Sequence, residues 1–176
     1  IQRMNDVVLR IVAGDPLPPL DESSLKEGIE LLRSVKSSPH LQTSEDHAMF
    51  ALLHSYFARG GLPVIFSDPT AHAELRGAKA GAAYSPQRDL FMFTVRQESI
   101  PFVVALNMYH ELAHALEAFE WAATAKIHDR KELGKLMTTR RKKLTVCAYE
   151  GVRGYAAGAR MFAALMDAGK VQVIFP

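Results

Sequence analysis

The sequence predicts an α+β fold: helices first, then a small antiparallel sheet, then two long helices. Three observations predict it. Up to about Gly60 the chain reads as helical segments cut by proline and glycine. Between Pro63 and Thr94 short runs of β-branched and aromatic residues alternate with turn residues. From Ser99 onward the apolar residues recur at helical spacing over two long stretches. A chain of 176 residues with 48% apolar side chains can bury one sizeable core, so residues 1–176 read as one domain, with 1–60 a helical N-terminal part and 61–176 its core.

Each element follows from local signals. Residues Asn5 to Ala13 look helical and stop at Gly14-Asp15-Pro16, and Pro16-Leu17-Pro18-Pro19-Leu20 is a stiff linker. Asp21-Glu22-Ser23-Ser24 can cap a helix from about Leu25 to Val35, with Ile29, Leu32 and Val35 near one face. Ser44-Glu45-Asp46 opens another through Phe57, ended by Gly60-Gly61-Leu62-Pro63. Pro63 to Phe66 is a short strand. Gly81 to Tyr84 and Asp89 to Thr94 are two more, joined by a hairpin loop at Ser85 to Arg88. Ser99 to about Trp121 is a long helix, with Pro101 in its first turn, where a missing N–H does no harm. Leu144 to Ala168 is the second long helix, ended by Gly169, and Lys170 to Phe175 can form a last strand.

The bulk numbers exclude several classes. Charged residues at 23% argue against disorder, and a net charge of +2 is too small to imply nucleic acid. No apolar run approaches the roughly 20 residues that span a bilayer. One cysteine, Cys147, excludes an internal disulfide and any multi-cysteine zinc site. The start at Ile1 is neither an initiator methionine nor a signal peptide, so the chain reads as an excerpt of a longer protein and localisation stays open. Oligomeric state is not legible either.

His110-Glu111-Leu112-Ala113-His114 is a His-Glu-x-x-His motif inside the predicted long helix. Four residues are about one helical turn, so both imidazoles project from one face and can bind one Zn²⁺. Glu111 leaves that face at an angle. Its carboxylate is placed to reach a water on the ion, whose pKa zinc lowers towards about 7, and to take its proton. Three fixed identities recur by chance in roughly 2% of chains this long, so the helical context and the uncharged neighbours Met108, Tyr109, Ala115 and Leu116 carry part of the weight. The bland alternative is a core helix with two solvated or hydrogen-bonded histidines.

A catalytic zinc needs a third protein ligand. The extended motif that ends in a third histidine fails, because Glu117 stands where a helix-breaking glycine is needed and Glu120 where the histidine would be. Glu150 is the better option. On a helical wheel it shares a face with Cys147, Gly154, Ala157 and Gly158, and small residues allow a close helix approach. A carboxylate on such a packed face needs a positive partner, which zinc would be. The alternatives are that Glu150 pairs with Arg153 or a lysine, or that His128 is the ligand. Glu117, one turn beyond His114, is either a hydrogen-bond acceptor for a ligand imidazole or a surface glutamate. Asn107, one turn before His110, could touch substrate or cap a polar pocket.

The ordered set of strand pair, His-Glu-x-x-His helix and later helical glutamate resembles the zincin metallopeptidases, in their glutamate-zincin branch of thermolysin-like and minimal single-domain forms. The resemblance covers roughly Gly81 to Met166. It implies a mostly helical zincin-like domain, one Zn²⁺ held by His110, His114 and Glu150, and Glu111 as general base. It implies a peptide or protein substrate held by main-chain pairing to an edge strand, with Asp89 to Thr94 (Leu90, Phe91 and Met92 foremost) or its neighbour in that part. It also implies an oxyanion-stabilising side chain, for which Tyr149, Arg153 and Tyr155 qualify by position alone. The run Glu150 to Ala157 looks, more weakly, like the second helix of compact bacterial peptidases that cleave phage-type repressors.

Two alternatives stay open: a zinc-binding regulatory or interaction module without catalysis, and a basic nucleic-acid binder built on Arg130 to Lys143. The second lacks interleaved aromatics for base stacking, so a solvated helix or loop is the simpler reading of that stretch. His47 and His54 share a helix face without a carboxylate or cysteine at ligand spacing, and are read as surface or packing residues.

Overall fold

The structure is a computed structural model that describes residues 9–12, 22–67, 82–94, 100–143 and 151–174. In chain order the elements are β1 (Leu9–Val12), α1 (Glu22–Ser34), α2 (Ser44–Ala58), β2 (Val64–Ser67), β3 (Ala82–Ser85), β4 (Leu90–Thr94), α3 (Pro101–Ala125), α4 (Arg130–Lys143), a π-helical turn (Gly151–Tyr155), α5 (Ala156–Asp167) and β5 (Val171–Ile174). The α+β class predicted from sequence is observed, with helix dominant.

α3 is the axis of the molecule. It starts at Pro101, preceded by Ile100 in extended conformation, and runs unbroken until Lys126 turns it off with a left-handed φ of 53°. Met108, Tyr109, Leu112, Ala113 and Ala115 are fully buried in its middle, so it is surrounded rather than amphipathic. α1 packs along its start closely enough that a β-carbon on Gly28 would sit 2.4 Å from Val104 Cγ1. α5 packs on another side, burying Ala157, Met161, Ala164 and Leu165.

β2, β3 and β4 form one sheet in the order β2-β4-β3. The β3–β4 hairpin is antiparallel, as its turn residues predict, with Tyr84 opposite Phe91. β2 joins β4 in parallel, so the sheet is mixed rather than antiparallel throughout. Phe91, Met92 and Phe93 are all fully buried, which places β4 at the sheet's centre with both faces covered.

The first residues depart from expectation. The predicted helix Asn5 to Ala13 is replaced at Leu9–Val12 by strand β1, paired in parallel with β5 from Leu9 opposite Val171 to Val12 opposite Ile174. Leu-Arg-Ile-Val suits an extended strand once a partner is present, and that partner lies at the far end of the sequence. α1 and α2 match their predicted spans to within a few residues, and the predicted last strand is β5. The basic stretch between the long helices is itself a helix, α4.

Two networks of polar side chains tie these elements together. Thr43 caps α2, and Asp46 completes a capping box with it. The Asp46 carboxylate, with no exposed surface, also accepts from Tyr109 Oη of α3 at 2.6 Å and from Arg160 Nε of α5 at 3.0 and 3.1 Å. Burial opposes its charge, but the bonds from Thr43, Tyr109 and Arg160 outweigh that and hold its carboxyl below the usual range. The second network centres on Asp89, whose φ of 51° closes the hairpin. It accepts from Tyr56 Oη of α2, from Tyr84 Oη of β3 at 2.7 Å and from Arg130 Nη2 of α4 at 3.0 Å. Burial, followed by bonding to Asp89, pushes the Tyr84 phenol above its ordinary range.

Candidate metal centre

The motif lies on the middle turns of α3, where the helix is most enclosed. His110 and His114 stand one turn apart, and their Nε2 atoms are 3.0 Å from each other. His114 is 6% exposed and His110 half-buried. Two nitrogens each about 2.0–2.1 Å from a tetrahedral ion lie about 3.3 Å apart, so the observed separation is close to what one Zn²⁺ needs. At this distance the pair can share either a proton or a cation, and in both cases the two nitrogens converge on one point.

Glu111 is 8% exposed, and its Oε2 accepts the main-chain N–H of Tyr84 at 2.7 Å. The carboxylate therefore sits between α3 and the outer edge of β3, the side turned away from β4. Tyr84 is fixed in turn through its hydroxyl on Asp89, so one residue links the hairpin to the glutamate of the motif.

The π-helical turn Gly151–Tyr155 comes against the other side of this pair. A π-turn is rare and frequently marks a functional site. The ring of Tyr155 meets that of His110 edge-on, centroids 5.1 Å apart, and Tyr155 is 63% exposed. Of the three side chains named for an oxyanion role, Tyr155 is thus placed beside the motif with a face open to solvent. Arg153 is engaged elsewhere: its Nη2 pairs with Glu120 at 2.7 Å and its Nε lies 3.8 Å from Glu45. Tyr149 lies outside the described residues, as does Glu150, the third ligand expected from sequence. Among the described residues no group of three or more His, Cys, Asp or Glu is arranged to hold a metal. Among the described residues the donors brought together are the two imidazoles, whose spacing fits one end of a tetrahedral site.

Leu90, Phe91 and Met92 are not on a free edge: β4 is paired with β2 on one side and β3 on the other, so a substrate strand cannot add to it. The edge beside the motif belongs to β3. Glu117 is 7% exposed and ion-paired with Arg140 Nε of α4 at 3.3 Å, so it is no surface glutamate. His128 is exposed in the loop after α3, whose end at Ala125 is about 16 Å along the axis from His114, and it is not brought to the pair. His47 and His54 are exposed on α2. The helical wheel through Glu150 assumed uniform α-geometry. The π-turn shifts that register: Gly154 and Ala157 are buried, while nothing lies within 4 Å of a β-carbon built on Gly158.

Arg130 and Arg140 of the basic stretch are turned inward, onto Asp89 and Glu117, and Arg140 also stacks on Trp121 at 4.2 Å. Among the described residues no helix is long and apolar enough to cross a membrane. Sequence reading missed the Asp46 clasp and the Tyr84 link. The pattern Thr43-x-x-Asp46 was visible as a capping box, but its arginine lies far along the chain. No protein-family model, no curated protein and no solved structure matches this chain.

Proposed function

We propose that the protein is a zinc-dependent peptidase whose metal is held by His110, His114 and Glu150 and whose general base is Glu111. The observation that carries the reading is the convergence of the two Nε2 atoms at 3.0 Å, with a buried carboxylate on the next residue. When bound, zinc supplies Lewis acidity that activates water and polarises a carbonyl. Glu111 takes a proton from the attacking water and returns it to the leaving amine. The Tyr84 N–H holds one of its oxygens at 2.7 Å and so fixes the carboxylate beside the imidazole pair. Tyr155 donates its hydroxyl to the oxyanion that forms at the scissile carbonyl. A peptide strand adds to the outer edge of β3, which the fold turns towards the motif.

The test is metal analysis followed by peptide cleavage. Purified protein is stripped with chelator and reloaded, and zinc is counted per chain. Uptake of one zinc by wild type, lost in His110→Ala, is the expected result. Glu111→Gln should keep the zinc and lose nearly all cleavage of an unstructured protein substrate such as casein. Wild type that takes up no zinc ends the metal reading. Wild type that takes up zinc but cleaves nothing leaves a zinc-binding regulatory module instead.

A further inference from the structure

Within the π-helical turn, Gly154 lies directly against the ring of His110. A β-carbon built there would lie 2.4 Å from both Cε1 and Nε2 of His110 and 2.9 Å from its Cδ2. These are the atoms of the ring edge that carries the nitrogen facing His114. Real β-carbons do not approach other atoms so closely, so any side chain at this point must displace the His110 ring. Backbone conformation is not the reason. Among the described residues the glycines with positive φ are Gly60, Gly61 and Gly169, and Gly154 is not one of them. What position 154 requires is space.

The nature of the obstructing atoms decides what a larger residue would disturb. At Gly28 the nearest atoms include a backbone oxygen, Pro101 O at 2.9 Å, which cannot move without shifting α3. At Gly154 they are the far end of a single side chain, which rotates about two bonds. A methyl group there turns the His110 ring rather than prising the helices apart. Tyr155, the next residue, bounds the same ring edge-on at 5.1 Å, so the π-turn holds His110 between an absent side chain and an aromatic one.

We propose that Gly154 is a positioning residue for the metal centre: by lacking a β-carbon it leaves His110 the one orientation in which its Nε2 converges with that of His114. The inference rests on the zinc reading above and predicts a separation of function from stability. In Gly154→Ala the metal-free protein should melt within a few degrees of wild type, while zinc affinity, measured by competition with a chromophoric chelator, falls roughly 10- to 100-fold. Gly158→Ala, four residues on with open space around it, should bind zinc as wild type does. In metal-free wild type an NMR cross-peak between the Gly154 α-protons and His110 Hε1 should be present. If Gly154→Ala does not fold, that cross-peak decides, and its absence overturns the proposal. Undiminished zinc affinity in a folded Gly154→Ala overturns it too, and leaves the peptidase reading intact. Wild type without zinc uptake removes both.

Discussion

Two buried carboxylates sit against the same stretch of α3 and are handled in opposite ways. Asp46 reaches the helix at Tyr109, and Glu111 leaves it two residues later. Asp46 has no exposed surface and is answered by a guanidinium, a phenol and a capping threonine. Its charge is neutralised locally, so its function is to join α2, α3 and α5. Glu111 is nearly as buried, but it faces a main-chain N–H of β3 and lies next to a converging imidazole pair. The difference teaches that burial alone does not say what a carboxylate is set beside. Asp46 is tied to a guanidinium from a distant helix, whereas Glu111 is tied to a strand amide beside two imidazoles.

That contrast can be broken most severely at Asp46. Asp46→Ala leaves the partly buried Arg160 and the buried Tyr109 hydroxyl without their partner and should destabilise the protein by about 2–4 kcal/mol, read from urea unfolding. The same carboxyl has a pH signature. Its pKa is lowered in the folded protein, so its contribution is present above the unfolded value of 3.8 and is lost as pH falls through the lower folded value. Acid unfolding of Asp46→Asn should therefore show a shallower loss of stability below about pH 4 than wild type. An unchanged acid limb would show that Asp46 does not titrate with folding.

Gly28→Ala is expected next in size. It drives a methyl group into Val104 and the Pro101 carbonyl, at a cost of about 1–3 kcal/mol. A neutral effect would mean that α1 does not seat tightly on α3. Glu111→Gln is the converse experiment to Asp46. Stability should change by less than about 1 kcal/mol, because the amide oxygen can still accept from Tyr84, while turnover is abolished. Equal stability losses at Asp46 and Glu111 would dissolve the distinction between them. Tyr155→Phe should lower kcat by about 10²-fold with little change in KM, since only the hydroxyl is removed from a ring packed on His110. The smallest effect belongs to the surface. Lys26 and Glu22 are each 73% exposed, and breaking their pair should change stability by no more than about 0.5 kcal/mol.

The same contrast bears on the helices α1 and α2 that precede the sheet. Asp46 and Glu45 at the start of α2 hold Arg160 and Arg153; Arg153 lies within the turn that meets His110, and Arg160 lies in α5 just after it. Removal of α2 would release that turn. Residues 22–58 therefore belong to the scaffold that positions the site, and α1 completes it by packing on the first turns of α3.

By itself the sequence determined the features that local chemistry writes. The 3.6-residue period, Pro101 and the apolar neighbours of the motif define α3, and one helical turn between His110 and His114 fixes their shared face. Turn residues between alternating runs define the β3–β4 hairpin. Only the tertiary structure decided which strand is central, that Leu9–Val12 is extended because Val171–Ile174 lies beside it, and that Tyr84 reaches Glu111. It alone placed a π-turn where a uniform helix was expected, and with it Gly154 against His110. The physical reason is range. Helical period and turn chemistry act between residues a few positions apart, whereas strand order, buried ion pairs and helix contacts join residues brought together only when the core closes.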